Sequence, residues 1–194
     1  MKRVLLSMSC ILLAMCMMLG CGNKYELNSD SVTLNDDGSV NALMVESFDQ
    51  PYYSEDELMG MVNDEVAEFN VKYGKDKIKV VEHKLKDGKM ILEMKFADVT
   101  AYNNYMPDNI YVGTISGAAG SGYDLNRSLN VAGKDGATIG KSELLEMGDK
   151  KVCIVNKATN IRVPDKIKYY SQGMELKDKT TAAAEVANCY FIIY

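Results

Sequence analysis

The sequence predicts an α+β fold, a mostly antiparallel sheet built from hairpins and packed against one main helix at about residues 54–73, with short accessory helices. Three observations point there. Asp37-Gly38 and Asp87-Gly88 each stand between β-type runs and mark hairpins. One long, capped amphipathic segment lies between them. The last third is a succession of short runs rich in β-branched and aromatic residues, broken at Thr159-Asn160 and Pro164-Asp165.

In chain order, a leader comes first. Lys2 and Arg3 precede an uncharged run, Val4–Leu19, and the small Gly20 stands directly before Cys21. A positive start, an apolar stretch and a small residue form the order of a secretory signal peptide. The run falls short of the roughly 20 residues that a membrane-spanning helix needs. Met18-Leu19-Gly20-Cys21 resembles the lipobox of bacterial lipoproteins, with Met18 where leucine is usual. That resemblance covers the leader and Cys21. It implies cleavage of residues 1–20, lipidation of Cys21 by a diacylglyceryl thioether, and an extracytoplasmic protein anchored to the cell membrane. Two acyl chains make a durable anchor where one is marginal, at about 0.8 kcal/mol per buried methylene. Residues 21–30 then form the lipidated cysteine and tether, and 31–194 a single globular domain.

Removing twenty residues, two of them basic and none acidic, leaves 174 residues with 20 basic against 27 acidic side chains, a formal charge of −7. That length suits one core. The acidic balance argues against nucleic acid, which needs a basic footprint, and against electrostatic adhesion to anionic lipid. Cys153 and Cys189 remain after Cys21. Export permits a disulfide, provided the two Cα atoms lie within about 7 Å; two buried thiols is the favoured reading. No cysteine or histidine spacing suggests a metal site, and no cofactor is expected.

Val32–Asn35 and Ser39–Phe48 are read as a hairpin across a two-residue turn at Asp37-Gly38. The acidic turn lacks the alternating oxygens and closing glutamate of a calcium loop. Ser54, with Glu57 three residues on, opens the main helix; Leu58, Val62, Val66, Phe69 and Tyr73 form its apolar stripe, and Gly74 ends it. Its Glu55-Asp56-Glu57 start suits the positive end of a helix without any catalytic role. The second hairpin turns at Asp87-Gly88, and a straight register sets Leu85 opposite Met90, His83 opposite Leu92, Val81 opposite Met94 and Lys79 opposite Phe96. His83, the one histidine, then lies on or beside the apolar face, and no serine or cysteine nearby completes a triad with it.

Asp98 caps a short helix ended by Pro107, and Tyr111–Ile115 reads as a strand. Gly113–Gly122 is glycine-rich and reads as a mobile loop or rim, the expected place for a lid; it lacks an ordered GxGxxG and an adjacent lysine. Gly140-Lys141-Ser142 echoes the end of a P-loop, but Asp135 stands where that motif wants glycine. Ser142 reads instead as the N-cap of a helix Glu143–Met147 closed by Gly148. Val152–Asn156, Ile161–Val163, Ile167–Ser171 and Asn188–Tyr194 are strands, the last apolar enough to be covered on both faces. Lys177–Val186 is open between helix and loop.

The stretch FDQPYYSEDELMGMVNDEVAEFN, flanked by the two Asp-Gly hairpins, is similar to a group of uncharacterised lipoproteins of low-GC Gram-positive bacteria over roughly residues 30–97. The resemblance implies no activity. Two function classes follow. The first is a non-catalytic binding or interaction module of the cell envelope with a protein, small-ligand or glycan partner, for which Tyr52-Tyr53 and Tyr169-Tyr170 are candidate stacking residues. The second is an envelope hydrolase, which needs acidic or nucleophilic side chains converging near His83 or Gly113–Gly122. The reading leans against an enzyme.

Overall fold

The computed structural model describes residues 29–194. The leader, Cys21 and most of the tether lie outside the described residues. The order of elements is β1 (Ser31–Leu34), β2 (Val40–Ser47), α1 (Glu55–Tyr73), β3 (Ile78–Lys86), β4 (Lys89–Phe96), α2 (Val99–Tyr105), β5 (Tyr111–Thr114), α3 (Ile115–Gly120), β6 (Leu129–Val131), β7 (Thr138–Ile139), α4 (Lys141–Glu146), β8 (Lys151–Val155), β9 (Thr159–Arg162), β10 (Tyr169–Ser171), β11 (Met174–Leu176), β12 (Thr181–Ala184) and β13 (Tyr190–Ile193). A seven-stranded sheet runs β11-β12-β9-β1-β2-β4-β3, and a six-stranded sheet runs β5-β8-β13-β10-β6-β7. The fold is α+β. Among the described strands only β1 and β9 pair in parallel.

Alternation along the strands builds the layers. Val32, Ala42, Met94, Ile161 and Ala182 of the larger sheet share one buried cluster with Cys153, Val155, Tyr190 and Ile192 of the smaller. Met59 and Phe69 of α1 and Tyr102 of α2 close it. The opposite face of the smaller sheet, with Val152, Ile154, Phe191 and Ile193, packs on Ile115 and Ala118 of α3 and Leu144 of α4. Strand β13 is therefore covered on both faces, as its unbroken apolar run requires.

The first turn differs from the expected two-residue form. Leu34 pairs with Val40, and the Asn35 N–H donates to the Ser39 carbonyl, so Asp36, Asp37 and Gly38 span the bend. Only Gly38 takes a left-handed conformation (φ +83°). The Asp37 carboxylate, which accepts from the Ser39 N–H and hydroxyl, fixes this longer turn. The second turn is the two-residue mirror type, with Asp87 and Gly88 both at positive φ.

The straight register of β3 on β4 holds from Lys86 to Glu82 and then shifts. A bulge expels Val81, and Val80 rather than Val81 faces Met94 while Ile78 rather than Lys79 faces Phe96. Without the bulge a lysine would lie on the buried face, a costly arrangement for a charge.

Two of the three expected N-caps form, those at Ser54 and Asp98. The Ser54 hydroxyl accepts from the Glu57 N–H at 3.3 Å, and the Asp98 carboxylate accepts from the Ala101 N–H at 2.7 Å. Met59, next to the expected Leu58, takes the first buried place on α1, and Tyr73 stays partly exposed. The Lys77 ammonium, 2.8 Å from Asp98, and then the Ala101 amide hold that carboxyl below its ordinary value. Its contribution is present above the ordinary carboxylate range and fades as pH falls through the depressed value.

Three further segments depart from expectation. Gly113–Gly122 is not a loop: its centre is α3, capped by the Thr114 hydroxyl on the Gly117 N–H and buried through Ile115 and Ala118. Gly113 and Gly117 are packing positions, since a Cβ on either would run into the Tyr111 hydroxyl. Helix α4 begins two residues early, with Gly140 rather than Ser142 as its cap, because the Glu143 carboxylate reaches back to the Gly140 N–H at 3.1 Å. Lys177–Val186 resolves into the second half of the β11–β12 hairpin. No helix among the described residues is long and apolar enough to cross a membrane.

Candidate functional site

The strongest surface feature is the link between β2 and α1. Leaving the sheet, Phe48 donates its N–H to the Gly88 carbonyl at 2.6 Å, which ties the link to the tip of the second hairpin. Gln50-Pro51-Tyr52-Tyr53 is then a β-turn with proline at its second position, closed by the Tyr53 N–H on the Gln50 carbonyl at 3.1 Å. Ser54 caps the helix immediately after. The two tyrosines are thus clamped between a fixed turn and a fixed helix start.

Their rings form an aromatic ledge. Tyr53 lies 4.9 Å from Phe48 and 5.0 Å edge-on from Tyr52, between ring centroids. Tyr52 is 75% exposed and Tyr53 45%. A contiguous group of exposed aromatic rings, unlike a single one, marks a contact surface. Polar groups flank them: Gln50 donates its amide to Asp49 at 3.2 Å, and Glu55 follows the cap. Phe48 as the third ring was not legible in the pairing of Tyr52 with Tyr53; the DQPYY turn is the signal that could have found it.

Apart from the contact of His83 with Glu55, the other candidate residues do not join this site. His83 faces Leu92 as expected, but β3 is an edge strand and the ring is about half exposed, with Nε2 3.5 Å from a Glu55 carboxylate oxygen. Tyr169 and Tyr170 are half-buried strand residues that pack on the two different cores. Cys153 is fully buried, its thiol pushed up to about 12 by burial, while Cys189 sits on the opposite face of the smaller sheet; both thiols are free. Arg127 stacks over Phe191 at 3.9 Å and donates to the Cys189 carbonyl at 3.0 Å, which accounts for that corner structurally. Residues 140–142 cap α4 and form no phosphate cradle. Among the described residues no group of three or more histidine, cysteine or acidic side chains converges as a metal site would. Cys21 lies outside the described residues.

Comparison with family models, with curated proteins and with solved structures gives no match. The ledge is accordingly read from its own geometry.

Proposed function

We propose that the protein is a membrane-anchored extracytoplasmic lipoprotein, held by a lipid on Cys21, that acts as a non-catalytic interaction module of the cell envelope. Its contact surface is the Phe48–Tyr52–Tyr53 ledge. The observation that carries the reading is a pair of exposed tyrosines on a backbone fixed at both ends, so that little main-chain freedom is lost on contact. Flat rings beside an amide and carboxylates suit an envelope glycan, whose sugar faces stack on the rings while its hydroxyls meet the polar rim. The lipobox and leader supply the address, and the acidic body fits a polysaccharide better than a polyanion.

The test is co-sedimentation of the purified protein with insoluble cell-wall polysaccharide. The Tyr52→Ala/Tyr53→Ala variant is expected to bind about 30-fold more weakly, corresponding to about 2 kcal/mol for the loss of central aromatic contacts. Val71→Ala, at an 88% exposed position on α1, is expected to bind like the parent. Equal sedimentation of parent and double variant would contradict the assignment of the ledge.

A further inference from the structure

A cavity of about 290 Å³ opens where the two sheets meet. Leu34, Val99, Val112 and Pro164 form apolar walls, and Asp36 and Lys151 stand at its rim. These six come from the end of β1 with the turn that follows it, the start of α2, β5, the start of β8 and the segment after β9. The cavity is therefore a product of the tertiary fold rather than a dent in one element. Its volume equals roughly ten waters at about 30 Å³ each, enough for a solute of about nine non-hydrogen atoms.

The two charges are the informative part. In the same turn Asp37 is fully engaged: it accepts from Ser39 twice and lies 3.6 Å from the Lys95 ammonium. The neighbouring Asn35 spends its amide N–H groups on Ser39 and Asn41. Asp36 does none of this, and neither it nor Lys151 meets an opposite charge within 4 Å among the described residues. The turn does not need Asp36, and β8 does not need the Lys151 ammonium. One unpaired carboxylate and one unpaired ammonium thus flank the mouth of an apolar slot.

We propose that this seam binds a small zwitterion with an aliphatic side chain, an α-amino acid, whose carboxylate meets Lys151, whose ammonium meets Asp36 and whose side chain enters the slot. A simple anion would meet repulsion from Asp36, and a simple cation from Lys151. A neutral apolar solute would leave both charges without a partner. A zwitterion answers both, and a few polar groups over an apolar pocket is the usual design of a small-ligand site. The site is separate from the aromatic ledge, and each stands or falls without the other.

The experiment is isothermal titration of the purified protein with leucine, glycine, 4-methylpentanoate and isoamylamine. Leucine is expected to bind with a Kd below about 1 mM, and each of the other three, which lack the side chain, the ammonium or the carboxylate, at least about ten-fold more weakly. Lys151→Ala and Asp36→Asn, both at exposed positions that the fold does not depend on, are each expected to weaken leucine at least about ten-fold. Absence of leucine binding up to about 10 mM would overturn the proposal. So would leucine binding no tighter than 4-methylpentanoate, or unchanged in both variants.

Discussion

Phe96→Ala is expected to lower the free energy of unfolding by about 3–5 kcal/mol, the largest single-residue loss anticipated in the domain. Phe96 is fully buried at the end of β4, where it faces Val40 of β2 and Ile78 of β3 at once. Its ring meets Tyr102 edge-on at 5.2 Å and Tyr105 at 5.9 Å, both from α2. Truncation would leave a cavity bounded by two strands and a helix that cannot collapse together. The loss is a large share of a typical total stability of roughly 5–15 kcal/mol, and a shift in the denaturant midpoint measures it. The ring beside it gives the opposite sign. Tyr102 is fully buried, its hydroxyl has no hydrogen-bond partner among the described residues, and burial pushes its ionisation upward. Tyr102→Phe removes that orphaned group and is expected to raise stability by about 1 kcal/mol. A loss of less than about 1 kcal/mol for Phe96→Ala would contradict the placement of this core.

Cys21→Ala is expected to abolish acyl labelling and to move the protein from the membrane to the soluble fraction. On the lipoprotein reading proposed above, the chemistry is all-or-none: a thioether at one sulfur would carry both acyl chains, and without it none would be left to hold the body. At about 0.8 kcal/mol per buried methylene, the loss of two chains shifts partitioning by many orders of magnitude. An acidic body offers no electrostatic substitute toward anionic lipid. Unchanged labelling would reject Cys21 as the modified residue. Cys10 and Cys16 fit the lipobox pattern less well, since each lies inside the apolar run.

Local chemistry was legible wherever one short stretch decides the outcome. Ser54 and Gly74 bound α1, Asp98 caps α2, and Asp87-Gly88 turns the second hairpin in the two-residue mirror form. The unbroken apolar run at the end of the chain correctly signalled a strand covered on both faces. Features set by partners distant in sequence were not legible. The Val81 bulge exists because Ile78 must return to the face of Phe96, and the glycines around α3 exist because the Tyr111 ring lies on them. Alanines at 182–184 suggest a helix locally, yet they suit β12, which is closely packed between β11 and β9. The parallel pairing of β1 with β9 has no local signature at all. The ledge was half visible: Tyr52-Tyr53 stood out, but its rigidity depends on the bond from Phe48 to Gly88, forty residues on. The seam cavity, assembled from five separate segments, left no trace in the sequence.

The most direct measurement is photo-crosslinking in intact cells, with a benzoylphenylalanine in place of Tyr52 on the ledge or Val71 on the outer side of α1. Both positions are strongly exposed, so accessibility alone does not separate them. The account predicts an adduct from position 52 that sediments with the cell wall, and none from position 71. Equal crosslinking from both, or no wall-bound adduct from position 52, would contradict it.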